Sequence, residues 1–202
     1  SQPAVSRAGG TGSDHLREGF PDAVGRVLGH ADVVRALDPD RLIDALVPAF
    51  VAVSDGTASV PPRVAAQVGT AGWLGAMVGY VPGVGLGAKL VSVFPHNHEA
   101  DLPSHHALVA LFDEQTGALL CVMDGMAITA LRTAAGAALA TRLLARQDAR
   151  VLTILGAGVQ GQSHLDLLPR VRDFAEIRIA SRNPDRARAL AGSRPGCIAV
   201  ST

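Results

Sequence analysis

The sequence predicts an α/β protein built in two units, and three patterns carry that prediction. The end of the chain alternates strand, helix, strand, helix and strand from residue 151 onward. The middle holds short strand-like runs broken by Gly and Pro, and residues 126–146 form one Ala- and Thr-rich helical segment between the two regions. Strand and helix in alternation mark a parallel, doubly wound sheet, whereas consecutive strands separated by turn residues pair antiparallel.

Taken in order, residues 1–20 are rich in Ser, Gly and charge without periodicity, and residues 1–29 read as a flexible N-terminal extension. A helix is predicted from Asp38, which serves as N-cap, with Pro39 at the first helical position. Leu42, Ile43, Leu46, Val47, Phe50 and Val51 fall on one face, and Gly56 ends the pattern. Pro48 interrupts it. An interior proline costs about 3 kcal/mol, so a kink or two shorter helices are expected.

Beyond Pro61 and Pro62, strands are expected near 64–69, 73–79, 88–94, 107–113 and 118–123. The last two flank Glu114, Gln115, Thr116 and Gly117, a turn sequence that predicts a hairpin. Asp124 and Gly125 then turn the chain into the helix at 126–146. These elements define a first unit over 30–148, mainly an antiparallel sheet with helices, and a second over 149–202.

The second unit carries the most specific signal. Val151, Leu152, Thr153, Ile154 and Leu155 run directly into Gly156-Ala157-Gly158-Val159-Gln160-Gly161. A GxGxxG turn between a strand and a helix is the phosphate-binding fingerprint of a dinucleotide fold. The first glycine permits the tight turn, the second admits the pyrophosphate, and the third lets helix and strand pack closely. A helix starting near Val159 directs free N–H groups and its dipole at the anion. A strand at 177–180, a helix at 184–191 and a strand from Cys197 follow, which is half of a Rossmann-type doubly wound domain. Three parallel strands would leave an apolar edge bare, so the remaining half is expected beyond residue 202.

Ribose recognition falls at the end of the second strand, where the chain has Ser181 and Arg182, followed by Asn183. A carboxylate there would accept bonds from the ribose 2′-OH, whereas Arg accommodates a 2′-phosphate. The prediction is NADP(H) in preference to NAD(H), the alternative being a solvated Arg182 with Asp185 reaching back to the ribose.

Composition excludes other classes. The 18 basic and 18 acidic residues cancel, giving no field to attract nucleic acid or an anionic membrane. No apolar run approaches the roughly 20 residues that cross a bilayer, and a cytoplasmic location is expected. Cys121 and Cys197 lie in apolar strand-like runs without disulfide or zinc spacing, and read as buried thiols. His96, His98, His105 and His106 cluster, yet no Cys or carboxylate follows at ligand spacing. They read as loop histidines, with His105 or His106 a candidate for lining a pocket.

KLVSVFP from Lys89, MDGMAITALRTAAGAALATRLLA from Met123 and GAGVQGQSH from Gly156 together resemble the ornithine cyclodeaminase/mu-crystallin family, in order and spacing, from about residue 30 onward. The resemblance implies a substrate-binding and dimerisation domain in the first unit, a Rossmann domain in the second, and a homodimer. It implies an NAD(P)-dependent oxidoreductase acting on a small amino or imino acid, of ketimine reductase or amino-acid dehydrogenase type. The alternatives are an ornithine cyclodeaminase that recycles NAD and a catalytically silent nucleotide-binding protein.

By position, the resemblance makes Lys89 the catalytic lysine, Arg132 and Arg63 the clamp on a substrate carboxylate, and Ser104 a hydroxyl near substrate. The family's catalytic aspartate belongs to the later Rossmann half. Two arginines beside Lys89 would disfavour its ammonium form and suit it to proton transfer. Each has a plainer alternative: Lys89 and Arg63 as solvated edge residues, Ser104 as a loop hydroxyl. Thr129 and Thr133, one helical turn apart, either approach the pyrophosphate or bond back to helix carbonyls.

Overall fold

A computed structural model of the protein describes residues 25–201, so the expectation of a flexible extension over 1–24 lies outside the described residues. Residues 26–28 belong to the sheet instead. Strand β1, Arg26–Leu28, pairs in parallel with β6, Leu119–Asp124, at the edge of a six-stranded sheet. Gly25 makes this possible, because a Cβ there would lie 1.9 Å from the Leu120 carbonyl oxygen. Three paired residues are too short a run for periodicity to reveal.

The other strands are β2, Val64–Val68; β3, Gly72–Val81; β4, Gly85–Val93; and β5, His105–Phe112, all antiparallel in the order β1-β6-β5-β4-β3-β2. Asp113 organises the hairpin between β5 and β6. Its carboxylate accepts from the backbone N–H and the hydroxyl of Thr116, and Gly117 closes the turn at φ +71°. A 3-10 turn, Pro95–Ala100, links β4 to β5 and carries His96 and His98.

Helix α1, His30–Ala36, was not marked by the sequence pattern; it is one short stretch that buries Val33. Helix α2, Pro39–Ser54, begins as expected, the Asp38 carboxylate accepting from the Arg41 N–H at 2.8 Å. It runs unbroken through Pro48, with Ile43 buried before the proline and Ala52 after it. One buried residue on each side of Pro48 anchors a single helix where propensity alone predicts two. The expected apolar face is covered only in part: Leu42, Ile43 and Leu46 pack inward, whereas Phe50 and Val51 are exposed.

Helix α3, Gly125–Leu144, is the link between the units. Ala134, Ala135 and Ala138, each 0% exposed, let α2 approach on one side and helix α4, Val159–Leu167, on the other. Ile43, Leu139, Leu167 and Leu168 complete that core. The far end of α3 is closed by Arg172, whose guanidinium donates to the carbonyls of Thr141, Ala145 and Gln147.

The second unit is a parallel sheet in the order β7-β8-β9, formed by Val151–Leu155, Glu176–Ala180 and Cys197–Val200. Helix α5, Pro184–Gly192, joins α4 on one face over Ile154, Leu165, Ile177, Ile179 and Leu190. Cys121 and Cys197 are free and half-buried, in β6 and β9, less enclosed than their apolar surroundings in sequence suggest.

Strand alternation gives the six-stranded sheet two faces. Met77, Lys89, Val109 and Met123 form one row on the face covered by α3. Val64, Ala76, Leu90 and Leu108 form a row on the opposite face. That second face is apolar and open, with Val64, Leu74 and Val78 all about half exposed or more.

Candidate active site

Three elements converge on Lys89. It sits in mid-β4, half-buried, and its Nζ donates to the Thr129 hydroxyl of α3 at 3.1 Å. Arg132 lies on the next turn of α3. Arg63 immediately precedes β2, where alternation places it on the face of Met77 and Lys89. Burial first, then the positive charges of Arg132 and Arg63, hold the Lys89 ammonium below the ordinary lysine pKa. Like charge was the expected cause; the larger one is removal from water under α3.

Arg132 and Arg63 are exposed, and neither has a carboxylate partner among the described residues. Two free guanidiniums beside a partly desolvated amine favour an anion with paired acceptor oxygens, such as a carboxylate.

The cap of α3 fixes this arrangement. Asp124 accepts from the Ala127 N–H at 3.0 Å and meets His30 Nδ1 at 3.1 Å. Gly125 lies so close to β5 that a Cβ would fall 2.7 Å from the Ala107 carbonyl carbon. Thr129 and Thr133 show the back-bonding that their spacing allows: their hydroxyls donate to the carbonyls of Gly125 and Thr129, at 2.6 and 2.7 Å.

Ser104 is not gathered with the others. Its hydroxyl contacts His105 Nδ1 at 2.9 Å, and its carbonyl accepts from the Phe94 N–H. Lys89 pairs with Val109, so Ser104 lies five residues, roughly 17 Å, farther along the sheet. His106 faces the open apolar side with Leu90 and Leu108. Among the described residues no three His, Cys, Asp or Glu side chains converge as metal ligands.

At the second centre, Gly156 makes the turn out of β7 at φ +113°, and its N–H donates to the Ala180 carbonyl at 2.7 Å. Gly158 is the N-cap of α4 and offers no side chain, leaving the N–H groups of Val159, Gln160 and Gly161 without intrahelical acceptors. Around Gly158 there is open space, with nothing within 4 Å of a notional Cβ. Gly161 is the reverse. It is buried, and a Cβ would meet the Gly156 carbonyl oxygen at 2.1 Å.

An open hollow of about 1090 Å3 lies over the face of the parallel sheet away from α4 and α5, along Thr153, Arg178, Ile198 and Glu176, and reaches Gly156, Ala157, Ser181 and Arg182. The Ser181 hydroxyl accepts from the Asn183 N–H, and Asn183 caps α5 through the Arg186 N–H. Arg182 has no ion-pair partner among the described residues, whereas Asp185 is held by Arg188. Arg186, which the sequence reading did not single out, lines a groove with Gly158 and Val159. Its only signal in the sequence is its place five residues beyond Ser181.

The fold and site thus define an α/β protein with a dinucleotide-type turn in one unit and a cationic lysine centre in the other. The chain belongs to the ornithine cyclodeaminase/mu-crystallin family, whose model matches residues 24–195. It is 39% identical over 160 residues to the mouse (Mus musculus) ketimine reductase mu-crystallin, covering 78% of this chain and 51% of that protein. The chain therefore spans about half the length of the curated relatives it matches.

Among solved structures it is similar to the Thermococcus litoralis Δ1-pyrroline-2-carboxylate reductase in complex with NADH and L-proline, at 32% identity and a TM-score of 0.79, over 88% of this chain and 56% of that one. An archaeal alanine dehydrogenase dimer with bound NAD gives 30% identity and a TM-score of 0.82, with the same coverage. No helix among the described residues is long and apolar enough to cross a membrane.

Proposed function

We propose that the protein is an NAD(P)-dependent oxidoreductase acting on a small amino or imino acid, with NADP(H) preferred. The observation that carries this reading is the convergence of Lys89, Arg132 and Arg63 on the α3 face of the sheet, in a chain whose α3 also packs on the glycine-turn helix.

The residues present fit the coenzyme. Val159 and Gln160 would offer N–H donors to the diphosphate, Gly158 leaves room for it, and Arg182 with Ser181 would hold a 2′-phosphate. The bound nicotinamide supplies or accepts hydride. Arg132 and Arg63 bind the substrate carboxylate and fix the α-carbon by paired N–H donors. Lys89 holds a proton on Nζ and delivers it to the reacting nitrogen or carbonyl side of the substrate. Because its pKa is lowered, the protonated form is lost as pH rises through a value below the usual ~10.4. Reductive kcat/KM therefore falls on the alkaline side earlier than a free lysine would dictate.

The open apolar face of the six-stranded sheet supports a homodimer, since a face this exposed and this apolar is stabilised by a second copy of itself.

The test is a panel of amino acids and cyclic imines with NADPH and NADH, followed by nicotinamide absorbance, on the wild type and Arg182→Ala. NADPH consumption with a cyclic imine is expected. Arg182→Ala is expected to weaken NADPH binding about 10- to 100-fold while leaving NADH nearly unaffected. Ammonia release without lasting absorbance change would assign cyclodeaminase chemistry instead, and coenzyme binding without turnover a silent binding protein.

A further inference from the structure

We propose that Thr129 is a positioning residue for Lys89, anchoring its amine through a hydroxyl whose own hydrogen is already engaged. This rests on the reading of Lys89 as the proton carrier. The Thr129 hydroxyl donates to the Gly125 carbonyl at 2.6 Å, so the oxygen has only lone pairs left to offer. A lysine ammonium has only donors. The Lys89 Nζ contact at 3.1 Å is therefore polarised in one sense, lysine to threonine.

The anchor is tied to the sheet by backbone. Gly125 is pressed against Ala107 of β5, closer than any side chain permits, and that approach sets where its carbonyl stands. The carbonyl orients Thr129, and Thr129 orients Lys89. Threonine's β-branching restricts χ1, so the hydroxyl that bonds back one turn stays aimed at the strand.

Other groups around the amine do not supply this anchor. Directly across on β3 and β5 stand Met77 and Val109, neither of them titratable. The charged groups that act on it are Arg132 from α3 and Arg63 from before β2, both repulsive. A four-carbon side chain pushed by two cations and flanked by apolar neighbours would otherwise occupy several rotamers, at a cost to orientation.

Thr129→Val keeps the shape and removes the acceptor. The expected result is a fall in kcat of about tenfold with coenzyme dissociation constant unchanged. Loss of an acceptor disfavours the ammonium further, so the alkaline limb of kcat/KM moves to lower pH. Thr129→Ser is expected to restore both, and Thr129→Ala, which removes bulk instead of adding a methyl in place of the hydroxyl, to repeat the acidward shift if the valine variant does not fold. Weakened coenzyme binding with an unmoved pH limb would overturn the proposal and make Thr129 a coenzyme contact. A Lys89→Met enzyme with wild-type turnover would instead sink the underlying reading of Lys89, whatever Thr129 does.

Discussion

Lys89→Ala is expected to lower kcat/KM by about 10²- to 10⁴-fold, the range over which a positioned proton donor contributes. Coenzyme affinity should remain near the wild-type value. The reason is spatial: Lys89 belongs to mid-β4 and contacts α3, whereas the glycine turn lies beyond β7 in the other unit. Structure should also survive. Lys89 is only half-buried, makes no ion pair among the described residues, and its burial disfavours its charge, so truncation relieves a desolvation cost as well as losing one hydrogen bond. Pre-steady-state measurement of coenzyme binding beside steady-state turnover separates the two effects. Wild-type kcat/KM in the alanine variant would remove Lys89 from the chemistry.

Gly161→Ala is expected to abolish measurable coenzyme binding and to destabilise the fold by about 1–3 kcal/mol or more, as overpacking of a filled site does. The added Cβ would stand 2.1 Å from the Gly156 carbonyl oxygen and 3.3 Å from Leu190 Cδ2. The first contact is backbone, so α4 must move away from the turn that it caps. Gly158→Ala provides the contrast. Its φ of −98° suits any residue and its Cβ would meet nothing within 4 Å, so the unliganded protein should melt like the wild type. Coenzyme affinity should nevertheless fall, because the methyl enters the space that the diphosphate needs. A thermal melt and a coenzyme titration of both variants would show the split; equal behaviour of the two glycines would contradict the assignment of their roles.

Much of this architecture is legible in the chain because its signals are local. The turn from Gly156 to Gly161, the Asp38 cap, the Asp113 hairpin and the Ala-rich α3 are each read from a few neighbouring residues. What escapes reading depends on contacts between distant segments. Strand β1 exists because Gly25 allows it against Leu120, and α2 stays whole through Pro48 with one buried residue, Ile43 or Ala52, on either side of it. The Lys89–Thr129 bond spans 40 residues. Thr129 was expected to approach the pyrophosphate or bond back within its helix; only the register of β4 under α3 shows that it meets lysine. Family resemblance supplied Lys89, Arg132 and Arg63 as candidates; the sheet's alternation puts residues 63 and 89 on one face, and α3, packed over that face, brings residue 132 to them. Ser104, drawn from the same resemblance, falls at the far end of β5.

The most direct measurement is a crystal structure of the protein with NADPH and a substrate-like carboxylic acid bound. The expected result has diphosphate oxygens on the N–H groups of Val159 and Gln160 and the carboxylate on Arg132, beside Lys89 Nζ. A coenzyme diphosphate lying away from residues 156–161, or a carboxylate held at a site apart from Arg132 and Lys89, would contradict it.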